Sequence, residues 1–398
     1  MPLSVVDTVL LAVGFAHAAI ATNRVPDGAI ILPLTYNDFT AAYYAPFQVG
    51  TPPQTEYLKV DTGSPTLSFL DPRSSFCEQS NRPCMTYGTF DNETSSTCRY
   101  QGTGFADELE DFGSGVYLRD TVTLQGITTE HVDFGYLTSY GNPSGIIDPA
   151  ATIAGFATNY PPEKGPYLLA QLKNASTINR RSVSVYLGND TGTSGASQII
   201  LGGFYDKAKM ASKPFTVEMV NPNSQTLANG ETNSVNVTQI EVVVNGKTTT
   251  FNPGPSPDIG QPTLLDTGNP LWILPTPVFA AVAAGLGNST ARNYTGVGFV
   301  DVDCKYRSPK HANGHVTTTF GSAGKIEVPL HSLVEKFSGG NCGAHIFEID
   351  VGNGTTAFGA PFLRSAYAIF DQEALTISIA QVKHTHEEHI VALPEGGF

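Results

Sequence analysis

Short hydrophobic runs bounded by glycine, proline and asparagine recur along the chain, and within them apolar and polar positions alternate as they do in β-strands. Residues 43–49 and 55–60 predict a hairpin across the turn at 50–53. Residues 184–187 and 198–201 predict a second hairpin around a loop rich in glycine, serine and threonine. We therefore expect the chain to be built mainly from short strands.

Helical spacing is confined to two short segments, 167–172 and 278–284. The second follows Thr276-Pro277 and ends at Gly285, which are typical start and stop residues of a helix. The 40 glycines and 27 prolines fit a chain with many turns between strands. The sequence predicts an all-β fold class, mostly β with a few short helices.

Two copies of Asp-Thr-Gly, beginning at Asp61 and Asp266, each follow an apolar run that enters a tight turn. A carboxylate at the end of a buried strand is costly unless it is hydrogen-bonded or used in chemistry. One copy alone is more often an ordinary turn, but two copies 205 residues apart (266 − 61) predict a shared site. Two such carboxyls cannot both ionise easily, so together they can activate a water and protonate a leaving amine.

The order of motifs resembles the pepsin family of aspartic proteases, in the style of its secreted fungal members. The resemblance runs from about residue 32 to residue 382 and implies a bilobal fold with an active-site cleft between two similar lobes. Besides the two triplets, the matching segments are 44–54, Phe90 with 95–97, 120–122, 154–157, 200–203, 358–359 and 362–364.

The resemblance implies that Asp61 and Asp266 are the catalytic pair of an endopeptidase that hydrolyses an extended polypeptide, at acidic pH and without a cofactor or metal. It implies that the Ser64 hydroxyl donates to the Asp61 carboxylate. The two triplet threonines are expected to tie the turns together through the backbone. The residues expected to support the pair are Thr62, Gly63, Ser64, Thr267, Gly268 and Asn269. Gly155 and Gly359 are expected behind the two turns, and the resemblance implies that both contribute to substrate binding.

Lys59 is unusual at its position. It lies two residues before Asp61 and therefore shares a strand face with it, where the family usually has an apolar residue beneath a substrate pocket. One interpretation is that the lysine stem is buried while the ammonium group reaches water. The other is that its charge favours the anionic form of Asp61 or meets an acidic side chain of the substrate.

Other departures concern the flap, expected within 105–115. The family's flap tyrosine is missing, and Leu109, Glu108 or Phe112 lies near its place. The acidic residues of this loop are a hypothetical partner for Lys59. Ser68 replaces a supporting tryptophan, and Asn269 replaces a hydroxyl residue. These changes support an alternative function, a catalytically weak or inactive pepsin-like protein that binds peptides or another protein.

Charge and targeting signals restrict the setting. Acidic residues outnumber Lys and Arg by 36 to 22, giving a formal net charge of −14, which argues against nucleic acid as a partner. Residues 1–21 contain an apolar stretch followed by small residues, typical of a cleaved secretory signal, and no other stretch approaches the length of a membrane span. We expect a secreted, extracellular monomer, with the vacuole as the alternative location.

The cysteines and sequons fit the same setting. The resemblance implies bridges Cys77–Cys84 and Cys304–Cys342, which leaves Cys98 as a single thiol, although it could compete for Cys77 or Cys84. Seven Asn-x-Ser/Thr sequons favour a glycosylated product. They begin at Asn92, Asn174, Asn189, Asn236, Asn288, Asn293 and Asn353.

The predicted organisation has five parts, and the last of them carries a histidine cluster. His386 and His389 are one residue too close for the His-Glu-x-x-His zinc pattern, so no metal is expected there. The parts are a signal peptide over 1–21, a short pro- or linker segment over 22–28, an N-terminal lobe over 29–210 with Asp61 and the flap, a C-terminal lobe over 211–382 with Asp266, and a flexible tail over 383–398.

Overall fold

The computed structural model describes residues 25–37, 41–74, 77, 83–106, 113–139, 152–157, 167–189, 197–220, 233–254, 260–287, 291–294, 297–337, 339–349, 356–395 and 397–398. The predicted signal peptide lies outside these residues, and so do the flap positions Leu109 and Phe112.

The first half of the chain contains twelve strands and one α-helix among the described residues. They are β1 (Ile30–Pro33), β2 (Thr35–Asn37), β3 (Ala42–Val49), β4 (Gln54–Asp61), β5 (Ser68–Leu70), β6 (Arg99–Ala106), β7 (Ser114–Leu124), β8 (Ile127–Ser139), β9 (Ile153–Gly155), α1 (Leu168–Asn174), β10 (Ser182–Tyr186), β11 (Gln198–Leu201) and β12 (Phe204–Asp206).

The second half continues the same architecture, with two further α-helices in the part that the structure covers. Its elements are β13 (Phe215–Glu218), β14 (Ser234–Val237), β15 (Gln239–Val244), β16 (Lys247–Phe251), β17 (Gln261–Leu265), β18 (Trp272–Pro275), α2 (Thr276–Gly285), β19 (Ala291–Tyr294), β20 (Val297–Asp301), β21 (Gly314–Phe320), β22 (Gly324–Pro329), β23 (Val334–Lys336), β24 (Cys342–Ala344), β25 (Ile346–Ile349), β26 (Thr356–Phe358), α3 (Ala360–Leu363), β27 (Ala366–Asp371), β28 (Thr376–Gln381) and β29 (Ile390–Ala392).

The mostly β class is confirmed, and so are both predicted hairpins. β3 pairs with β4, and β10 pairs with β11, in antiparallel register. Both predicted helices form, as α1 and α2. In the described residues, no helix combines the length and apolar character needed to cross a membrane.

Three sheets position the functional residues. The first half forms an eight-stranded sheet with the path β5-β8-β7-β3-β4-β9, and the second half forms a five-stranded sheet ordered β14-β17-β26-β18-β25. A six-stranded sheet, ordered β1-β11-β10-β27-β28-β13, takes strands from both halves. Its central strands β10 and β27 are buried along their whole length, as expected for strands covered on both faces.

The tail does not have the predicted flexibility in its described part. Ile390–Ala392 forms β29, which pairs with β12. The side chain of Lys209 is fully buried, and its Nζ donates to the carbonyls of Thr385 (2.9 Å) and Glu387 (2.8 Å). The backbone N–H of His389 donates to Asp206 Oδ1 at 2.7 Å. The tail is therefore docked, because two buried charged side chains satisfy its main-chain polar groups.

The cysteines agree with the sequence prediction at one bridge and correct it at the other. Cys304 and Cys342 are joined by a disulfide. Cys77 and Cys84 are both buried, unbridged thiols, so the predicted second bridge is wrong for this structure. Burial and a hydrogen bond with Cys84 raise the pKa of Cys77 to about 12, which keeps it in the thiol form rather than the reactive thiolate. Cys98 is a third, half-buried thiol.

Candidate active site

The two Asp-Thr-Gly turns face each other. β4 ends at Asp61, and β17 ends immediately before Asp266. A Cβ atom added to Gly63 would lie 2.5 Å from Asp266 Cγ, and one added to Gly268 would lie 2.4 Å from Asp61 Cγ. Each carboxyl group therefore packs against the glycine of the opposite turn, and only glycine leaves room for it.

Each aspartate is held in the same way by its own turn. Asp61 Oδ1 accepts the backbone N–H groups of Gly63 (2.7 Å) and Ser64 (3.1 Å). Asp266 Oδ1 accepts those of Gly268 (2.8 Å) and Asn269 (3.1 Å). One oxygen of each carboxyl group is thus fixed by the main chain.

The triplet threonines join the two turns by four reciprocal hydrogen bonds. The backbone N–H of Thr62 donates to Thr267 Oγ1, and the backbone N–H of Thr267 donates to Thr62 Oγ1, both at 3.0 Å. Thr62 Oγ1 donates to the Leu265 carbonyl and Thr267 Oγ1 donates to the Val60 carbonyl, both at 2.8 Å. All of these groups are buried. We call this set of four hydrogen bonds the threonine lattice, and it fixes the separation of the two turns that carry the carboxyls.

The electrostatics of the pair favour one shared proton. Loss of hydration, the negative charge of Asp61 and a hydrogen bond with Asp61 raise the pKa of Asp266 well above its usual value. The hydrogen bond from Gly268 and the positive charge of Lys59 act in the opposite direction. Burial beside Asp61 therefore favours the protonated form of Asp266.

Gly155 and Gly359 lie behind the turns, where the sequence predicted them. β9 runs parallel to β4 with Gly155 opposite Asp61, and a Cβ on Gly155 would lie 2.5 Å from the Ser64 carbonyl oxygen. A Cβ on Gly359 would lie 2.2 Å from the Asn269 carbonyl oxygen. Both glycines let a second strand end pack directly against the chain that follows an aspartate.

Two predicted side-chain roles differ in the structure. The Ser64 hydroxyl is buried and has no hydrogen-bond partner among the described residues, so its predicted bond to Asp61 is absent. The backbone N–H groups of the turn occupy Asp61 Oδ1 instead. Asn269 Oδ1 accepts the backbone N–H of Leu271 at 2.9 Å, so this oxygen is bonded to the chain that follows the turn.

Lys59 is only 7% exposed, which argues against the interpretation that its ammonium group simply reaches water. It lies opposite Tyr44 on β3, whose ring stacks on Tyr87 with 4.2 Å between centroids. Its positive charge lowers the pKa of Asp266. The lysine and Asp61 share one face of β4.

The flap position is described only at its base. β6 and β7 form an antiparallel hairpin in which Ala106 pairs with Ser114, and 107–112 lie outside the described residues. The ring of Phe105 packs against Gly135, where an added Cβ would approach it to 2.1 Å. Ser68 is fully buried, and its Oγ accepts the backbone N–H of Ile153 at 3.2 Å.

Two buried amides near the first turn were missed from the sequence. Asn233 Nδ2 donates to the Thr62 carbonyl at 2.7 Å, and Gln372 Nε2 donates to the Phe156 carbonyl at 2.7 Å. Their partners are 171 and 216 residues away in sequence, so no local pattern marks them. Among the residues that the structure covers, no group of three or more His, Cys, Asp or Glu could hold a metal ion.

Comparison with known proteins agrees with this geometry. The eukaryotic aspartyl protease family matches residues 42–382. A probable aspartic-type endopeptidase of Aspergillus oryzae is 27% identical over 367 residues, covering 89% of this chain and 71% of the relative. Secreted aspartic protease 8 of Candida albicans is 27% identical over 359 residues (88% and 78%), and candidapepsin of Candida tropicalis is 28% identical over 377 residues (91% and 84%). The chain belongs to the eukaryotic aspartyl protease family.

Proposed function

We propose that the protein is an aspartic endopeptidase in which Asp61 and Asp266 activate a water molecule at acidic pH. The observation that carries this proposal is the meeting of the two carboxyls across the threonine lattice, with the pKa of Asp266 raised by its neighbour. A pair of this kind supplies a base and an acid at one site, which peptide hydrolysis requires.

The proposed reaction uses the two side chains in sequence. The Asp61 carboxylate accepts a proton from water as its oxygen attacks the scissile carbonyl carbon, while protonated Asp266 donates its proton to the carbonyl oxygen. The proton then held by Asp61 passes to the leaving amine nitrogen as the carbon–nitrogen bond breaks, and one hydroxyl of the intermediate returns a proton to Asp266. The acid and amine products are then neutral and the starting pair is restored. The main-chain N–H groups of Gly63 and Ser64 support this role, because hydrogen bonds to a carboxylate favour its anionic form.

The substrate is proposed to be an extended polypeptide that lies along the cleft beneath the flap hairpin. Leu109 and Phe112 stay predicted flap residues that would contact it, and Lys59 stays a predicted substrate-binding residue. Secretion as a monomer belongs to the same proposal. The secretion part is supported by relatives whose names describe secreted aspartic proteases.

The direct test is an assay of the purified protein on denatured haemoglobin across acidic pH, with and without pepstatin. We expect pepstatin-sensitive cleavage by the wild type, and cleavage at least about 10²-fold slower by Asp61→Asn and by Asp266→Asn. Asp303→Asn, which removes an exposed carboxyl far in sequence from both turns, is the matched control and should retain activity. Cleavage within about tenfold of the wild type by either variant of the pair would refute the proposal.

The second candidate is a weak or inactive relative that binds peptides without turnover. The buried Ser64 hydroxyl without a partner and the Asn269 side chain bonded away from the pair favour it. Wild-type protein that binds pepstatin but cleaves no denatured protein at any pH would support this candidate.

A further inference from the structure

Asn233 lies immediately before β14, is fully buried, and contacts both aspartate segments. Its own backbone carbonyl accepts the N–H of Leu265, the residue before Asp266, at 3.0 Å. Its side-chain Nδ2 donates to the carbonyl of Thr62 at 2.7 Å and contacts that of Phe156 at 3.4 Å. A single residue of the second half thus joins the strand that leads to Asp266 and the turn that carries Asp61.

We infer that Asn233 is a positioning residue that holds the Thr62–Gly63 peptide in the orientation that Asp61 requires. This inference rests on the proposed function and deepens it, because it names a residue that acts through another at the same site.

The planarity of the peptide bond carries the argument. The Thr62 carbonyl and the Gly63 N–H lie in one rigid plane and point in opposite directions within it. Asn233 holds the carbonyl side at 2.7 Å, and Asp61 Oδ1 accepts the N–H side at 2.7 Å. Rotation of this plane would break both bonds together. Hydrogen bonds in such a chain also polarise one another, so the amide strengthens the bond that Asp61 receives.

The side chain is used in a way that packing alone does not explain. Asn233 Oδ1 is buried and lacks a hydrogen-bond partner among the described residues. A buried acceptor without a partner is unfavourable, and an apolar residue of similar size would avoid that cost. The part of the side chain that is satisfied is the donor directed at the first turn.

Gln372 acts on the same turn from a second direction. Its Nε2 donates to the Phe156 carbonyl, and the backbone N–H of Phe156 donates to the Asp61 carbonyl, both at 2.7 Å. Its own backbone N–H donates to the Arg181 carbonyl at 3.0 Å, next to the sheet that both halves share. The second half therefore holds the Asp61 segment through two buried amides.

The test compares Asn233→Leu with Gln171→Leu. Gln171 is the matched control, because its amide also bonds main-chain groups, the N–H and carbonyl of Asp133, but on α1 away from the turns. For Asn233→Leu we expect kcat to fall about 10- to 100-fold with KM little changed, because a catalytic group is displaced rather than a substrate contact. The acidic limb of the kcat/KM profile should move to higher pH, because Asp61 loses support for its anionic form. Gln171→Leu should change neither quantity.

A folded Asn233→Leu variant with wild-type kcat and an unchanged acidic limb would overturn the inference. If that variant does not fold, Asn233→Ala, which removes the same amide donor, takes its place with the same expected direction, and wild-type behaviour of a folded Asn233→Ala would overturn the inference. If the wild type cleaves nothing, the proposed function fails separately. The aspartate carboxyls can then be titrated by carbon-13 NMR, which needs no turnover. The lower apparent pKa of the pair should rise in Asn233→Leu, and an unchanged value would overturn the inference.

Discussion

The Asp61 and Asp266 turns are nearly identical in their local bonding and different in their surroundings. In each, one carboxyl oxygen accepts two backbone N–H groups, at 2.7 and 3.1 Å in the first turn and at 2.8 and 3.1 Å in the second. The first turn is additionally held by a buried amide from the other half of the chain. Local symmetry therefore builds the pair, and contacts from distant parts of the chain distinguish the two turns.

The strongest way to break the comparison is to remove one carboxyl at a time. Asp61→Asn and Asp266→Asn should each lower kcat/KM by about 10²- to 10⁴-fold, because each removes one partner in proton transfer. Steady-state assays at several acidic pH values measure this. A tenfold or smaller effect of either change would show that the two turns are not equivalent partners.

The second prediction concerns a buried cluster around Glu335 and its response to acid. Burial alone would raise the pKa of Glu335, but the Arg364 guanidinium, the charge of His345 and the hydroxyl of Tyr36 hold it at about 2. Tyr36 lies on β2 and donates to Glu335 Oε2 at 2.5 Å, and Arg364 Nε donates to the Tyr43 hydroxyl at 2.9 Å, so this buried cluster links the two halves.

Because the pKa of Glu335 is lower in the folded state, its stabilising contribution is complete above its ordinary value of 4.5 and is lost as the pH falls through about 2. We expect the free energy of unfolding of the wild type to lose on the order of 3 kcal/mol from this group between pH 5.5 and pH 2. Urea unfolding at both pH values, compared with Glu335→Gln, measures it. A variant with the same pH dependence as the wild type would contradict the assignment.

The two facing glycines test how tightly the turns are packed. Gly63→Ala would place a Cβ within 2.5 Å of Asp266 Cγ, and Gly268→Ala within 2.4 Å of Asp61 Cγ. We expect each to lower kcat by about 10²-fold, because small displacements of catalytic groups have effects of this size. Gly339→Ala is the control, since its added Cβ would meet no atom within 4 Å. Equal activity of all three variants would rule out the close approach.

The smallest expected effect concerns the positive charge of Lys59 and the pKa of Asp266. Lys59→Leu removes a positive charge that lowers the pKa of Asp266, so the basic limb of the activity profile should move to higher pH by about 1 unit or less. Lys59→Arg keeps the charge and should stay close to the wild type. A peptide series with acidic and neutral side chains measures the second hypothesis, a preference for acidic residues, which Lys59→Leu should abolish. An unchanged profile and preference would exclude both roles.

The sequence by itself determined the site motif and the strand content. Two Asp-Thr-Gly triplets after apolar runs predicted a shared pair. The hairpin of β3 and β4 and the helix α2 followed from periodicity and turn residues. These features depend on neighbours in sequence, so local patterns are sufficient to predict them.

Only the tertiary structure decided the features that depend on distant partners. The tail is docked because Lys209 and Asp206 supply buried partners for its backbone, whereas the sequence analysis predicted a flexible tail. Cys77 and Cys84 are thiols, although the resemblance implied a bridge between them. Asn233 reaches Thr62 across 171 residues. Burial and hydrogen-bond partners are properties of the folded whole, and a side chain's role follows from them as much as from its identity.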